Sequence, residues 1–192
     1  MLRRIVLAGV LGGIAMFAWS AIAHMVLPLG EAGLQEIPNE TELLGAMRAK
    51  LGESSGFYMF PAMVREGDRS AAMTAYTRKL AANPSGLLVY HPPGADTLTP
   101  GRLGTEFLAE VAEALLLAWL VAQTRLGSYG SRLGFAAICG LLAALVTNIE
   151  YWNWYGFPGG YTAAYMLTQA VGFVAAGLVV AKMVRPTAAA QA

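Results

Sequence analysis

Four stretches of the chain, about 4–28, 103–124, 133–152 and 161–182, each hold close to the ~20 apolar residues that carry an α-helix across roughly 30 Å of hydrocarbon. In lipid every backbone N–H and C=O must find its partner within the chain, so stretches of this kind fold as helices. The fold class that follows is an all-α membrane protein, a four-transmembrane-helix bundle. Composition agrees: 56% of the 192 residues are hydrophobic and 13% are charged, against about 25% charged in an ordinary soluble domain. Most of the charge falls between 31 and 102, which reads as a small α+β extracytoplasmic domain inserted between helices 1 and 2. The expected boundaries are 1–28 for the first helix, 29–102 for the inserted domain, and 103–192 for helices 2–4 with short loops and a C-terminal tail.

The first stretch could be a cleaved leader, since a basic start and Ala21-Ile22-Ala23 resemble a signal-peptidase site. Its apolar run nevertheless continues to Leu29, longer than a leader's core of about 7–15 residues, and reads as a retained span. Orientation follows from basic residues beside short loops. Arg3 and Arg4 precede the first span, Arg125 and Arg132 bracket the link between the second and third, and Lys182 and Arg185 follow the fourth. The loop 153–160, NWYGFPGG, has none. The expectation is a multi-pass protein of a bacterial inner membrane with both termini cytoplasmic. Trp152, Trp154, Tyr155, Phe157 and Tyr161 would then form an aromatic belt at the outer boundary.

Within 29–102 the order reads α-β-α-β. Asn39 and Glu42 have the spacing of a capping box before a helix that buries Leu43, Leu44, Met47 and Leu51. GFYMFP at 56–61 and LLVYHP at 87–92 read as strands, and a helix from about Ser70 would bury Met73, Tyr76 and Leu80. Thr99 and Pro100 suit the cap and first residue of the second span. Two short strands make a marginal domain, so a partner protein, another copy or the membrane helices should support it.

The second span poses the chemical question, because it keeps Glu106, Glu110 and Glu113 on one helical face. Charge facing lipid is costly, so these acids should look into the bundle. At comparable depth the other spans offer Ser20, His24, Asn148, Glu150, Tyr165, Thr168 and Gln169. Gly9 and Gly13 lie on the stripe that leads to Ser20 and His24, a small-residue pattern that marks a helix interface. Three neighbouring carboxylates cannot all ionise without a compensating cation. They could share protons, bind a divalent metal ion or organic cation with His24, or pair with Arg102, Arg65, Arg69, Arg78 or Lys79. The metal candidates are His24, Glu110 and Glu113, with Glu106, Glu150 and Gln169 behind them; Glu113 is the deepest and the strongest. His91 with Asp96 makes a weaker two-residue candidate.

Several classes are excluded. Net charge is +1, so no basic stripe exists for nucleic acid. Two histidines, far apart in sequence, leave no bis-histidine haem within the bundle and no Glu-x-x-His di-iron site. No phosphate loop, HExxH or GxSxG occurs. No catalytic residue is assigned. The first reading is a non-enzymatic accessory or assembly subunit among membrane lipids, whose outer domain docks another membrane or extracytoplasmic protein or a second copy. The rival is a protein that binds a metal or cationic ligand, or relays protons, at the acidic pocket. A third reading, an enzyme acting on a lipid or quinone, needs a pocket lined by Trp19, His24 and Tyr165 that opens sideways.

Overall fold

A computed structural model describes residues 1–63, 67–94 and 98–185. Arg65, Asp96 and the end of the C-terminal tail, named above, lie outside them. The helices are α1 (Leu2–Met25), α2 (Glu40–Leu51), α3 (Arg69–Ala82), α4 (Pro100–Gln123), α5 (Tyr129–Tyr155) and α6 (Gly159–Met183). Two strands, β1 (Gly56–Phe60) and β2 (Gly86–Tyr90), complete the described chain. Two compact units separate, Met1–Leu34 with Thr97–Ala192, and Gln35–Asp96.

Three helices, α1, α5 and α6, are long and apolar enough to cross a membrane. The expected second span, α4, falls short of that apolarity, because Arg102, Glu106, Glu110 and Glu113 crowd its first half. Its N-terminus forms as the sequence requires: Pro100 opens the helix, and the Thr99 side chain accepts a hydrogen bond from the Arg102 N–H at 3.1 Å.

Small residues set the order of helices in the larger unit. A Cβ at Gly13 would stand 2.5 Å from Val111 Cα, and one at Gly9 would collide with Leu115, so α1 and α4 touch backbone to backbone. Gly12 turns toward Val180 and Ala176 of α6 as well as Ala114 of α4. α1 is therefore central. On the far side α5 buries Arg132, Ala136, Gly140, Ala144 and Asn148, one residue every four, and α6 answers with Ala164, Thr168, Gly172, Ala176 and Val180 at the same interval. Gly140 packs under Phe173, and Gly177 under Ala136. Repeated small residues of this kind let helices approach closely where no water drives them together. The order in space is α4, α1, α6, α5, and the two helices joined by the short 124–128 link touch only sparsely.

Arg132 secures that link. Although it flanks a span like a surface charge, it is only 6% exposed. Its Nη1 donates to the carbonyls of Leu126 and Gly127 at 3.0 and 2.8 Å, and its Nε to the Ala181 carbonyl at 2.9 Å. A guanidinium suits this place because its planar fork reaches several carbonyls at once, and one of them belongs to the negative end of α6.

In the smaller unit β1 and β2 pair antiparallel, with Gly56 opposite Tyr90 and Phe60 opposite Gly86. Gly86 leaves room for the Phe60 ring across the ladder. The helices differ from expectation. Asn39 adopts a left-handed backbone, φ 54°, and its side chain makes no cap bond. A capping side chain needs its residue in the extended region, so the expected capping box is not formed. No residue of α2 is fully buried: Met47 and Leu51 are half-buried, whereas Leu43 and Leu44 are exposed. In α3, Tyr76 is half-buried while Met73 and Leu80 are exposed. Two strands of five residues offer too little surface to cover two helices.

Candidate functional site

One cavity of the larger unit, about 500 Å³, gathers most of the polar residues of its helices. α1 supplies Ser20 and His24, α4 supplies Glu106, Glu110 and Glu113, and α6 supplies Tyr165, Thr168 and Gln169. Apolar walls come from Met16, Phe173 and Ala143 of α5.

Three hydrogen bonds close three seams of this layer. Between α1 and α4 the Ser20 hydroxyl donates to Glu110 Oε1 at 2.5 Å. Between α1 and α6 the Trp19 indole N–H donates to the Thr168 carbonyl at 2.9 Å. Between α6 and α5 the Asn148 amide donates to Gln169 Oε1 at 2.6 Å, and to its own helix at the Ala144 carbonyl. Among the described residues no such bond joins α4 to α5. α4 and α5 meet through sparse contacts alone.

Glu110 is the buried acid. It is 7% exposed, and its second oxygen, Oε2, is shut off from solvent without a hydrogen-bond partner. A buried, unsatisfied polar atom costs on the order of 1–3 kcal/mol. Glu113 also lines the cavity but is exposed, as is Glu106. Glu113, read from the sequence as the deepest acid, is thus less buried than Glu110, because rotation about the helix axis rather than position along it decides burial. Glu113 lies about 60° around the helix from Glu110, off the stripe of Glu110, Ala114, Leu117 and Val121 that packs inward.

His24 is held at the rim. Its Nδ1 lies 2.9 Å from the Ser20 carbonyl, and since a carbonyl only accepts, this nitrogen carries the proton and Nε2 is left for other partners. The ring stands edge-on to Tyr165 at 6.0 Å between centroids. Gly30 presses on its other side, where a Cβ would come within 2.7 Å of the ring. Tyr165 in turn stacks on Tyr161 at 4.3 Å, Tyr161 meets Phe157, and Phe157 stacks on Tyr151. Part of the expected belt thus forms a ladder of rings reaching the cavity, whereas Trp152, Trp154 and Tyr155 stand exposed.

Of the six expected site residues, His24, Glu106, Glu110, Glu113 and Gln169 share this cavity, and Glu150 is exposed and does not line it. Proximity is not coordination: among the described residues no group of three or more His, Cys, Asp or Glu can hold a metal ion. Arg102, the expected pairing partner on the same helix, makes no ion pair with Glu106. His91 lies 3.5 Å from the Ser55 hydroxyl, and its expected companion Asp96 lies outside the described residues. Trp19 does not line the cavity; its indole is spent on the α1–α6 seam. What sequence reasoning missed was pairing. Asn148 and Gln169 stand out separately in the sequence, and the four-residue spacing of Tyr161, a belt residue, and Tyr165, one of the polar groups of the layer, is the signal of their stacking. The chain matches no family model, no curated protein and no solved structure.

Proposed function

We propose that this is a multi-pass membrane protein, of a bacterial inner membrane, that binds a small cation in the acid-lined cavity and catalyses no reaction of its own. The observation that carries the reading is the lining of this cavity, where Glu106, Glu110, Glu113 and His24 converge and no lysine or arginine is among the lining residues. A wall of carboxyl groups without a basic residue favours a positive group. In this reading α4 is the fourth span. Its 24 residues suffice to cross, its backbone is locked to α1 at Gly13, and its acids line the cavity. The termini face the cytoplasm and residues 29–102 lie outside, which follows from the basic residues at 3–4, 125, 132, 182 and 185. The test is thermal melting of the purified full-length protein with sodium, magnesium, zinc and ethanolamine. At least one should raise the melting temperature of the natural protein and leave Glu110→Gln unmoved. If no cation shifts it, the reading fails.

A second reading, an accessory or assembly subunit docking a partner through the smaller unit, is favoured by one observation. Phe57, Met59 and Val89 project from the same face of the two-stranded sheet and stand 68%, 50% and 63% exposed. An apolar face of this kind marks an interaction surface. Co-purification in mild detergent should then retain a stoichiometric protein or a second copy, and Phe57→Ser should release it.

A further inference from the structure

We infer that the helical unit holds a phosphate group at its basic end, in a pocket between the start of α1 and the end of α6 lined by Met1, Arg4, Ile5, Val184 and Arg185. This pocket stands apart from the acid-lined cavity, and its occupant draws only on the membrane placement proposed above. Helix directions sort the charge. Gly9 and Gly13 of α1 meet Leu115 and Val111 of α4, Gly12 meets Val180 and Ala176 of α6, and Ala136 and Gly140 of α5 meet Gly177 and Phe173 of α6. Packed neighbours therefore run antiparallel, which gathers Arg3, Arg4, Arg125, Arg132, Lys182 and Arg185 at one end. No acidic side chain of this unit shares that end. The nearest along a helix is Glu113, ten residues before Gln123, about 15 Å of helical rise away.

The arginines of this end are used in two ways. Arg132 is buried and gives its donors to three carbonyls. Arg4 and Arg185 converge on the pocket from opposite ends of the chain, and among the described residues their guanidinium groups make no hydrogen bond or ion pair. The carbonyls of Val180 and Ala181, which stand at the same helix end, are already taken by the Val184 N–H and by Arg132 Nε. Ile5 and Val184, both buried, supply an apolar wall. Two planar forks with unspent donors match a phosphate, whose several oxygens accept from both at once. A volume of about 360 Å³ falls in the range of small-ligand sites, roughly 300–1,000 Å³. Basic pockets between spanning helices at the cytoplasmic surface are where anionic headgroups bind. Two sources carry this chemistry: an anionic phospholipid of the adjoining leaflet, and free phosphate from solution.

The experiment follows the melting temperature of the full-length protein in phosphate-free buffer as short-chain phosphatidylglycerol or inorganic phosphate is added, with short-chain phosphatidylcholine as the neutral control. A rise with phosphatidylglycerol alone identifies a lipid headgroup; a rise with inorganic phosphate, with or without the lipid, identifies the free anion. In both cases Arg4→Gln and Arg185→Gln should each raise the half-saturating concentration about tenfold. Both side chains are exposed, so the two variants should melt like the natural protein when no ligand is present. Arg3→Gln removes the same charge one position away, outside the pocket lining, and should leave half-saturation nearly unchanged. Equal weakening by Arg3→Gln and Arg4→Gln would reveal diffuse surface charge in place of a site and overturn the inference. So would an equal response to phosphatidylcholine, or no response to either phosphate source. The cation response of Glu110→Gln is read separately, so either proposal can fall while the other stands.

Discussion

Glu110 and Ser20 show how much a single contact decides. The hydroxyl satisfies one carboxyl oxygen and leaves the other bare, so removing it strands both. Ser20→Ala should cost about 1–3 kcal/mol, read as a lower melting temperature of the ligand-free protein. In a Glu110→Leu background the same change should cost far less, a coupling that a double-mutant cycle measures. Arg132 is the other decisive side chain. Arg132→Ala should destabilise by about 3 kcal/mol through three abandoned carbonyls. Arg132→Lys should recover only part, since a point charge cannot fork. The sequence made the acids conspicuous through their spacing, but it could not say which of them packs. Glu110 and Glu113 differ by a rotation of about 60°, and that rotation is fixed by Gly9 and Gly13 docking on Leu115 and Val111, partners a hundred residues away in the chain.

At the level of elements, the helix interfaces depend on absent side chains. Gly13→Leu and Gly140→Leu should each destabilise by about 1–3 kcal/mol or more, because Val111 Cα and the Ala170 carbonyl stand where the new atoms would go. Gly134, also within α5, has nothing within 4 Å of its would-be Cβ. Gly134→Ala should instead stabilise by about 0.5–1 kcal/mol through helix propensity; equal losses at all three sites would refute the interface assignment. The limits of the four long helices were legible to within a few residues, since long apolar runs and the Thr99-Pro100 start are local signals. The order of helices was not. Nothing in the 124–128 link reveals that α4 will leave α5 for α1; that outcome depends on which helix carries glycine on two faces. The buried sides expected for α2 and α3 failed for a related reason: periodicity marks an apolar face but not whether a surface exists to cover it.

For the whole molecule, the division into two units predicts separable behaviour. Replacing residues 35–96 with a short flexible linker should leave the helical unit folded, because α1 and α4 are held by their own glycine contacts. Any cation-dependent rise in melting temperature should survive the excision. Loss of folding on excision would show that the smaller unit is needed to assemble the helices. Charge density and pattern in the sequence put junctions at 28–29 and 102–103, whereas the compact units are Met1–Leu34 with Thr97–Ala192, and Gln35–Asp96.

α4 and α5 are neighbours along the chain that share few contacts of their own. If a cation occupies the cavity as proposed, the filled protein should outlive the empty one under membrane proteases, and its abundance in a cell would follow the supply of that cation.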